Sequence, residues 1–316
     1  MQKTGGMKVW YRGLRVMPWL LLAWLASCGG GTTQIDPFLP SRIIFVGDET
    51  VGLIPDGRRY GINALNADNV FDCAQLPIWS QQLASSFGFA TDFCNSPGSP
   101  AVTRAVPDAV AADLEGQISA QIAATGVTSK DLFVVMVGLH DIINLFETYE
   151  GDRSCSTDVR NPPPRTLMGE LQARGHLVAL QINRIIALGG RALVSTVHEV
   201  GSTPYAIASG QAALISCMTA VFNARVRVDP LQDGRFWGLI LADDDTVAIV
   251  RNPGSFGVGN TIAAACTVAS PDCTTSTLVT GATTANFLWA DNLHFGPVLH
   301  SQLAGQAISR VRNSPF

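Results

Sequence analysis

Lysine is almost missing from this chain: it occurs at Lys3, Lys8 and Lys130. Two of these, with Arg12 and Arg15, fall in the first 27 residues, a stretch without a single Asp or Glu. Removing that stretch leaves Lys+Arg at 21 − 4 = 17 against Asp+Glu at 25, so the net charge moves from −4 to −8. Such a chain lacks the cation cluster that holds a nucleic-acid backbone. With Lys130 as the remaining lysine, the composition argues against a Ser-Lys dyad as well. No C-x-x-C pair is present, which argues against zinc and thioredoxin-like chemistry. His198-Glu199-Val200-Gly201-Ser202 lacks the second histidine of H-E-x-x-H, and no G-x-S-x-G elbow occurs. Neither an internal repeat nor a second-domain boundary is visible. What is abundant is apolar character: 47% of 316 residues are hydrophobic and 15% charged. That composition supports a substantial core and excludes disordered and fibrous classes.

The amino-terminal stretch reads as an export signal. Its cations lie in residues 1–15, and Val16 to Leu25 form an apolar run. Spanning a bilayer takes about 18 or more apolar residues, so this run is too short for a transmembrane helix. Leu25-Ala26-Ser27-Cys28 resembles a bacterial lipobox, and Gly29-Gly30-Gly31-Thr32-Thr33 follows as a flexible tether. The expectation is a signal peptide over 1–27, a lipidated Cys28 with tether over 28–40, and a folded domain over 41–316. Residue 29 is not Asp, so the resemblance implies outer-membrane sorting. An ordinary cleavage site with an incidental cysteine is the plainer alternative.

Cys28 set aside, six cysteines remain, an even number in a compartment where disulfides persist. Cys73 with Cys94 and Cys266 with Cys273 are the favoured pairs, leaving Cys155 with Cys217 by elimination. Six cysteines allow 15 connectivities, so the even count alone is firm.

Four short apolar runs read as buried strands: Arg42 to Val46, Leu132 to Val137, Ala192 to Val197 and Phe236 to Leu241. Unbroken apolar strands suit a parallel sheet covered on both faces. Helical patterns lie between them, with Leu114, Ile118 and Ile122 on one and Leu167, Leu171, Leu180 and Ile185 on a second. Ala213 to Val228 makes a third and Val298 to Val311 a last. Strands alternating with helices predict one doubly wound α/β domain. Long connections at 50–76, 146–165 and 251–286 are candidates for a binding mouth.

Ligands bind such sheets at the carboxyl ends of the strands. Gly47-Asp48-Glu49-Thr50 follows the first strand, Gly138-Leu139-His140-Asp141 the second, and Asp291-Asn292-Leu293-His294 precedes the last helix. Carboxylates and imidazoles thus gather where these elements converge. In order and spacing, these segments resemble the SGNH (GDSL) esterase/lipase family over about 42–311. The family opens with strand-G-D-S, has a glycine in its second block, then G-x-N-D, and closes with D-x-x-H. The resemblance implies a three-layer α/β/α, flavodoxin-like fold and carboxylester hydrolysis on small ester, lipid or acylated-glycan substrates. It implies His294 as base, Asp291 as its orienting acid, and Gly98, in Asn95-Ser96-Pro97-Gly98, as a main-chain donor to the oxyanion.

Two departures fall on the chemistry. Glu49 stands at the nucleophilic serine and His140 at the oxyanion-hole asparagine. A carboxylate is a weak nucleophile toward an ester carbonyl, its acyl adduct would be a mixed anhydride, and its charge opposes the oxyanion. Thr50 is a neighbour, but its side chain should point elsewhere. Three readings stay open. Glu49 and His294 form an ion pair in an inactive binding protein. His294 or Glu49 activates a water, with Gly98 and His140 as donors. Or Glu49, His140 and His294 hold a divalent metal. Elsewhere, Asp48 and Asp141 read as turn braces, His198 as structural, His176 as solvated, and His300 as packed behind the site. Trp79 and Phe87 read as core.

Overall fold

The computed structural model describes residues 2, 5, 37–94, 98–155 and 165–313. Its centre is a five-stranded sheet. The strands are β1 (Arg42–Gly47), β2 (Ala101–Thr103), β3 (Asp131–Met136), β4 (Arg191–Ser195) and β5 (Trp237–Ile240). Their order is β2-β1-β3-β4-β5 and every neighbouring pair is parallel. β3 is buried along its whole length and β1 at all but Arg42. Burial on both faces therefore explains why these runs are apolar without alternation.

Side chains along each strand alternate between two cores. Ile44, Val46, Phe133, Val135 and Val194 face one core; Ile43, Phe45, Leu132, Val134 and Leu193 face the other. The first is covered by α2 (Leu114–Thr125), α3 (Leu139–Thr148), α4 (Leu167–Ala187) and α6 (Ala212–Val228). The second is covered by α1 (Trp79–Ser86), α7 (Ala242–Arg251) and α8 (Pro297–Asn313). A short α5 (Pro204–Ala208) starts after Thr203, whose hydroxyl accepts from the Ala206 N–H. This is a three-layer α/β/α arrangement. Each fully buried Ile, Val or Phe contributes about 1.5–3 kcal/mol, so two-faced burial fixes the register of the sheet.

Several elements go beyond the sequence reading. β2 is three residues long, α3 and α7 were not foreseen, and a small pair, β6 (Asn260–Ala264) and β7 (Phe287–Trp289), forms within the 251–286 connection and at its end. Trp79 opens α1 fully buried, and Phe87 packs partly buried behind it. Leu180 departs from the expected apolar face of α4. Leu167, Leu171 and Ile185 are buried, whereas Leu180 is 46% exposed. Nine residues at about 100° each put it roughly half a turn from Leu171.

The three disulfides join Cys73 to Cys94, Cys155 to Cys217 and Cys266 to Cys273, the pairing expected from the sequence. Cys28, the export signal, most of the tether and the stretch Asn95-Ser96-Pro97 lie outside the described residues. Among the described residues no helix is long and apolar enough to cross a membrane.

The sheet order changes direction at β1, with β2 on one side and β3 on the other, which opens a crevice at the carboxyl ends. Gly47 and Gly138 stand at the rim of that crevice with φ of +131° and +128°. A Cβ on Gly47 would lie 1.8 Å from the Met136 carbonyl oxygen, and one on Gly138 2.3 Å from the Phe222 ring. Only glycine lets the two strand ends approach this closely.

Candidate active site

Glu49 leaves the end of β1 on a turn fastened from below. Gln117 on α2 accepts the Gly47 N–H at 2.6 Å and donates to the Gly47 carbonyl at 2.9 Å. Asp48 is buried and accepts from both the Thr50 N–H and the Thr50 hydroxyl. It therefore braces the turn, and Thr50 is directed to Asp48 rather than into the cup. Asp141 acts similarly in the next layer, accepting the Ala111 N–H at 2.8 Å with Arg174 3.5 Å away.

The Glu49 side chain is fully buried and its two oxygens are divided. Oε1 lies 2.6 Å from His140 Nε2 and 2.9 Å from His294 Nε2. Oε2 accepts the main-chain N–H of Asp108 at 2.9 Å. His140 comes from the first turn of α3, just beyond β3. His294 comes from the segment ahead of α8, where Nδ1 meets the Asp291 carboxylate at 2.9 and 3.0 Å. Asp291 is itself fixed by the N–H groups of Ser270, Leu293 and His294 at 2.8, 2.9 and 2.8 Å. The result is a row of alternating charge, Asp291–His294–Glu49–His140.

The row shifts its own protonation. Burial favours a neutral His294 ring, but hydrogen bonds to Asp291 and Glu49 outweigh it and push its pKa up to about 10. Burial likewise opposes a charged His140, and the contact with Glu49 overrides it in the same upward direction. For Glu49, burial raises the pKa, yet bonds from His140 and His294 hold it well below the ordinary carboxylate range. Asp291 is held low against burial by His294 and the surrounding N–H groups. Asp48, by contrast, is pushed up to about 7 by burial and by the Glu49 charge.

Glu49, His140, Asp291 and His294, drawn from three distant segments, thus meet at one point. Gly98 does not. It precedes β2, and β2 runs parallel to β1 with Ala101 opposite Ile43, so Gly98 lies at the amino-terminal end of the strands. Glu49 follows Gly47 at the opposite end. The donor there is Asp108, on the connection leaving β2, with a left-handed backbone at φ 61°. The sequence signal for it is Pro107-Asp108, a turn dipeptide whose Asp tolerates left-handed φ. Tyr60 also reaches the site, its ring centroid 5.0 Å from that of His294.

The other histidines lie apart from the row. His198 is fully buried, its Nε2 3.1 Å from the Leu293 carbonyl. His300 accepts the Trp79 N–H at 3.4 Å behind the site. His176 is half exposed and pairs with Asp229 at 2.8 Å.

Chemically, the site presents donors already spent on one carboxylate. The ring nitrogens of His294 are taken by Asp291 and Glu49, and no lone pair faces a substrate. The metal reading finds no support in this arrangement, in which both Nε2 atoms lie against a single Glu49 oxygen. Among the described residues, no group of three or more His, Cys, Asp or Glu side chains is arranged to hold a metal ion.

No family model matches the sequence. No curated protein matches it either. Solved structures similar to the chain include an acetyl xylan esterase, 14% identical over 85% of this chain and 98% of that one, with a TM-score of 0.43. A member of the lipolytic protein G-D-S-L family from Veillonella parvula is 9% identical over 85% and 96%, with a TM-score of 0.42. An acetyl-xylooligosaccharide esterase from Geobacillus is 11% identical over 87% and 95%, with a TM-score of 0.43.

Proposed function

We propose that this protein is an esterase-type α/β/α domain that does not hydrolyse esters and serves as a binding module of the cell envelope. A lipid on Cys28 holds it to the outer membrane, and the mouth beside Tyr60 and Asp108 meets a small ester, lipid or acylated glycan. The observation that carries this reading is the position of Glu49 Oε1 between His140 Nε2 and His294 Nε2, at 2.6 and 2.9 Å. Glu49 replaces the hydroxyl that a serine mechanism requires and consumes the donors that would receive an oxyanion.

Water activation fares worse on the same geometry. A general base works best with a pKa near the operating pH. His294, pushed up to about 10, keeps its proton at neutral pH, and Glu49, held far below the usual range, accepts none.

The test is direct. Wild-type protein should resist a serine-directed fluorophosphonate and hydrolyse p-nitrophenyl acetate no faster than His294→Ala. Glu49→Ser should restore labelling and raise turnover by at least about 100-fold, the lower bound for a positioned base. Histidine-dependent turnover by the wild type at neutral pH would overturn the reading. Cys28→Ala should move the protein from the membrane fraction to the soluble one; retention in the membrane would remove the lipid anchor.

A further inference from the structure

We infer that the donors of the cup are built around a carboxylate, that Glu49 is their resident ligand rather than a mere lost nucleophile, and that the cup emptied of Glu49 receives a small monocarboxylate. This rests on the reading of a silent site and names the ligand class that the emptied site takes.

The arrangement has the features of a built anion site. A planar carboxylate offers two oxygens, and each is met separately. Oε1 receives two imidazole N–H groups and Oε2 a main-chain N–H from Asp108. Each donor is held from elsewhere: His294 by Asp291, His140 by the first turn of α3, and Asp108 by a left-handed backbone conformation. Charge-assisted bonds of this kind are about twice as strong as neutral ones. Both imidazole side chains are nearly closed to solvent, at 9% and 12% exposure. With Glu49 removed, both Nε2 atoms and the Asp108 N–H lose their carboxylate, while Asp291 stays on His294 and the Asp108 carboxylate, 3.8 Å from His140 Nε2, stays at the rim.

Shape sets the ligand more narrowly than charge does. The Glu49 atoms beyond Cβ (Cγ, Cδ, Oε1 and Oε2) correspond one for one to the heavy atoms of acetate. Glu49→Ala therefore vacates an acetate-shaped volume that begins at Cβ. Formate fits with a methyl-sized gap. Propionate meets the alanine Cβ, and tetrahedral phosphate exceeds a space shaped for a flat group with a donor on each oxygen.

The experiment titrates folded Glu49→Ala with carbon-13-labelled acetate by NMR, with thermal unfolding as a second readout. Acetate should saturate a single site with a dissociation constant on the order of 1 mM and raise the unfolding temperature. Formate should bind more weakly, with propionate and inorganic phosphate giving no saturable binding. Adding His140→Ala should weaken acetate by at least about tenfold, the loss expected for one charge-assisted bond. Wild type and Glu49→Gln, whose side chains still fill the cup, should bind none. If Glu49→Ala does not fold, Glu49→Ser is titrated with formate, which its smaller void admits. The inference is overturned by absence of saturable binding in the folded variant, by equal affinity for propionate or phosphate, or by indifference to His140→Ala. Ester turnover by the wild type would sink the silent-site reading instead, so the two failures are distinguishable.

Discussion

At the scale of single residues, one substitution redirects a whole site. A serine at position 49 would leave His294 a neutral partner and an open oxyanion pair; a glutamate turns the same neighbours into ion-pair donors. The buried imidazoles divide into two kinds for this reason. His294, beside two carboxylates, is driven up to about 10. His198 and His300, buried with no carboxylate in contact, are driven down to about 3. The stability consequences have opposite signs. The contribution of His294 is fully present below the unfolded value near 6.5 and is lost as pH rises through about 10. His198 and His300 stay neutral in the folded state while the unfolded chain binds protons, so stability falls as pH drops from about 6.5 toward 3. Each ring gives a slope of roughly 1.4 kcal/mol per pH unit in that window. Urea midpoints measured from pH 7 to pH 4 should fall accordingly, and His300→Gln should flatten the fall. A midpoint independent of pH over this range would contradict the burial assigned to both rings.

The elements explain how distant residues come to share a point. Glu49, His140 and His294 each follow or precede a buried element at one rim of the sheet, which is why Asp291-Asn292-Leu293-His294 and Gly47-Asp48-Glu49 were legible in the chain. Asp108 was not, because a main-chain N–H carries no residue identity and its left-handed φ follows from the path of the β2 exit. Gly98 misled for the converse reason: a glycine is conspicuous in sequence, but which end of a strand it occupies depends on where β2 begins. Leu180 shows the same weakness, an apolar residue on the wrong side of a helix that its spacing does not support. The strand ends themselves give a sharp expectation. Gly47→Ala places a methyl 1.8 Å from the Met136 carbonyl and demands φ of +131° from a residue with a Cβ. It should cost about 3–4 kcal/mol, a backbone-strain loss at the top of the usual range. Chemical denaturation checks this, and Gly305→Ala on α8, with open space around its Cβ and a helical backbone, provides the contrast.

Across the whole molecule, one disulfide binds a connection to the layered core, while Cys266–Cys273 closes a loop within the 251–286 connection. Cys155–Cys217 ties the connection after α3 to the buried face of α6 across 62 residues. Closing a loop of that length removes enough unfolded-state entropy to contribute about 4 kcal/mol. The double variant Cys155→Ala/Cys217→Ala should therefore lose most of that amount in urea unfolding under oxidising conditions. A change below about 1 kcal/mol would mean that strain or residual structure cancels the cross-link.

Apolar period, cysteine count and the order of acid and imidazole segments were fixed by the chain itself, because burial on two faces and pairing of thiols impose composition locally. The tertiary structure decided which donor stands opposite Glu49 and that its carboxylate lies between two imidazoles. Those outcomes depend on where strand ends finish in space, and a distance of 2.6 Å between residues 91 apart is not written in either neighbourhood.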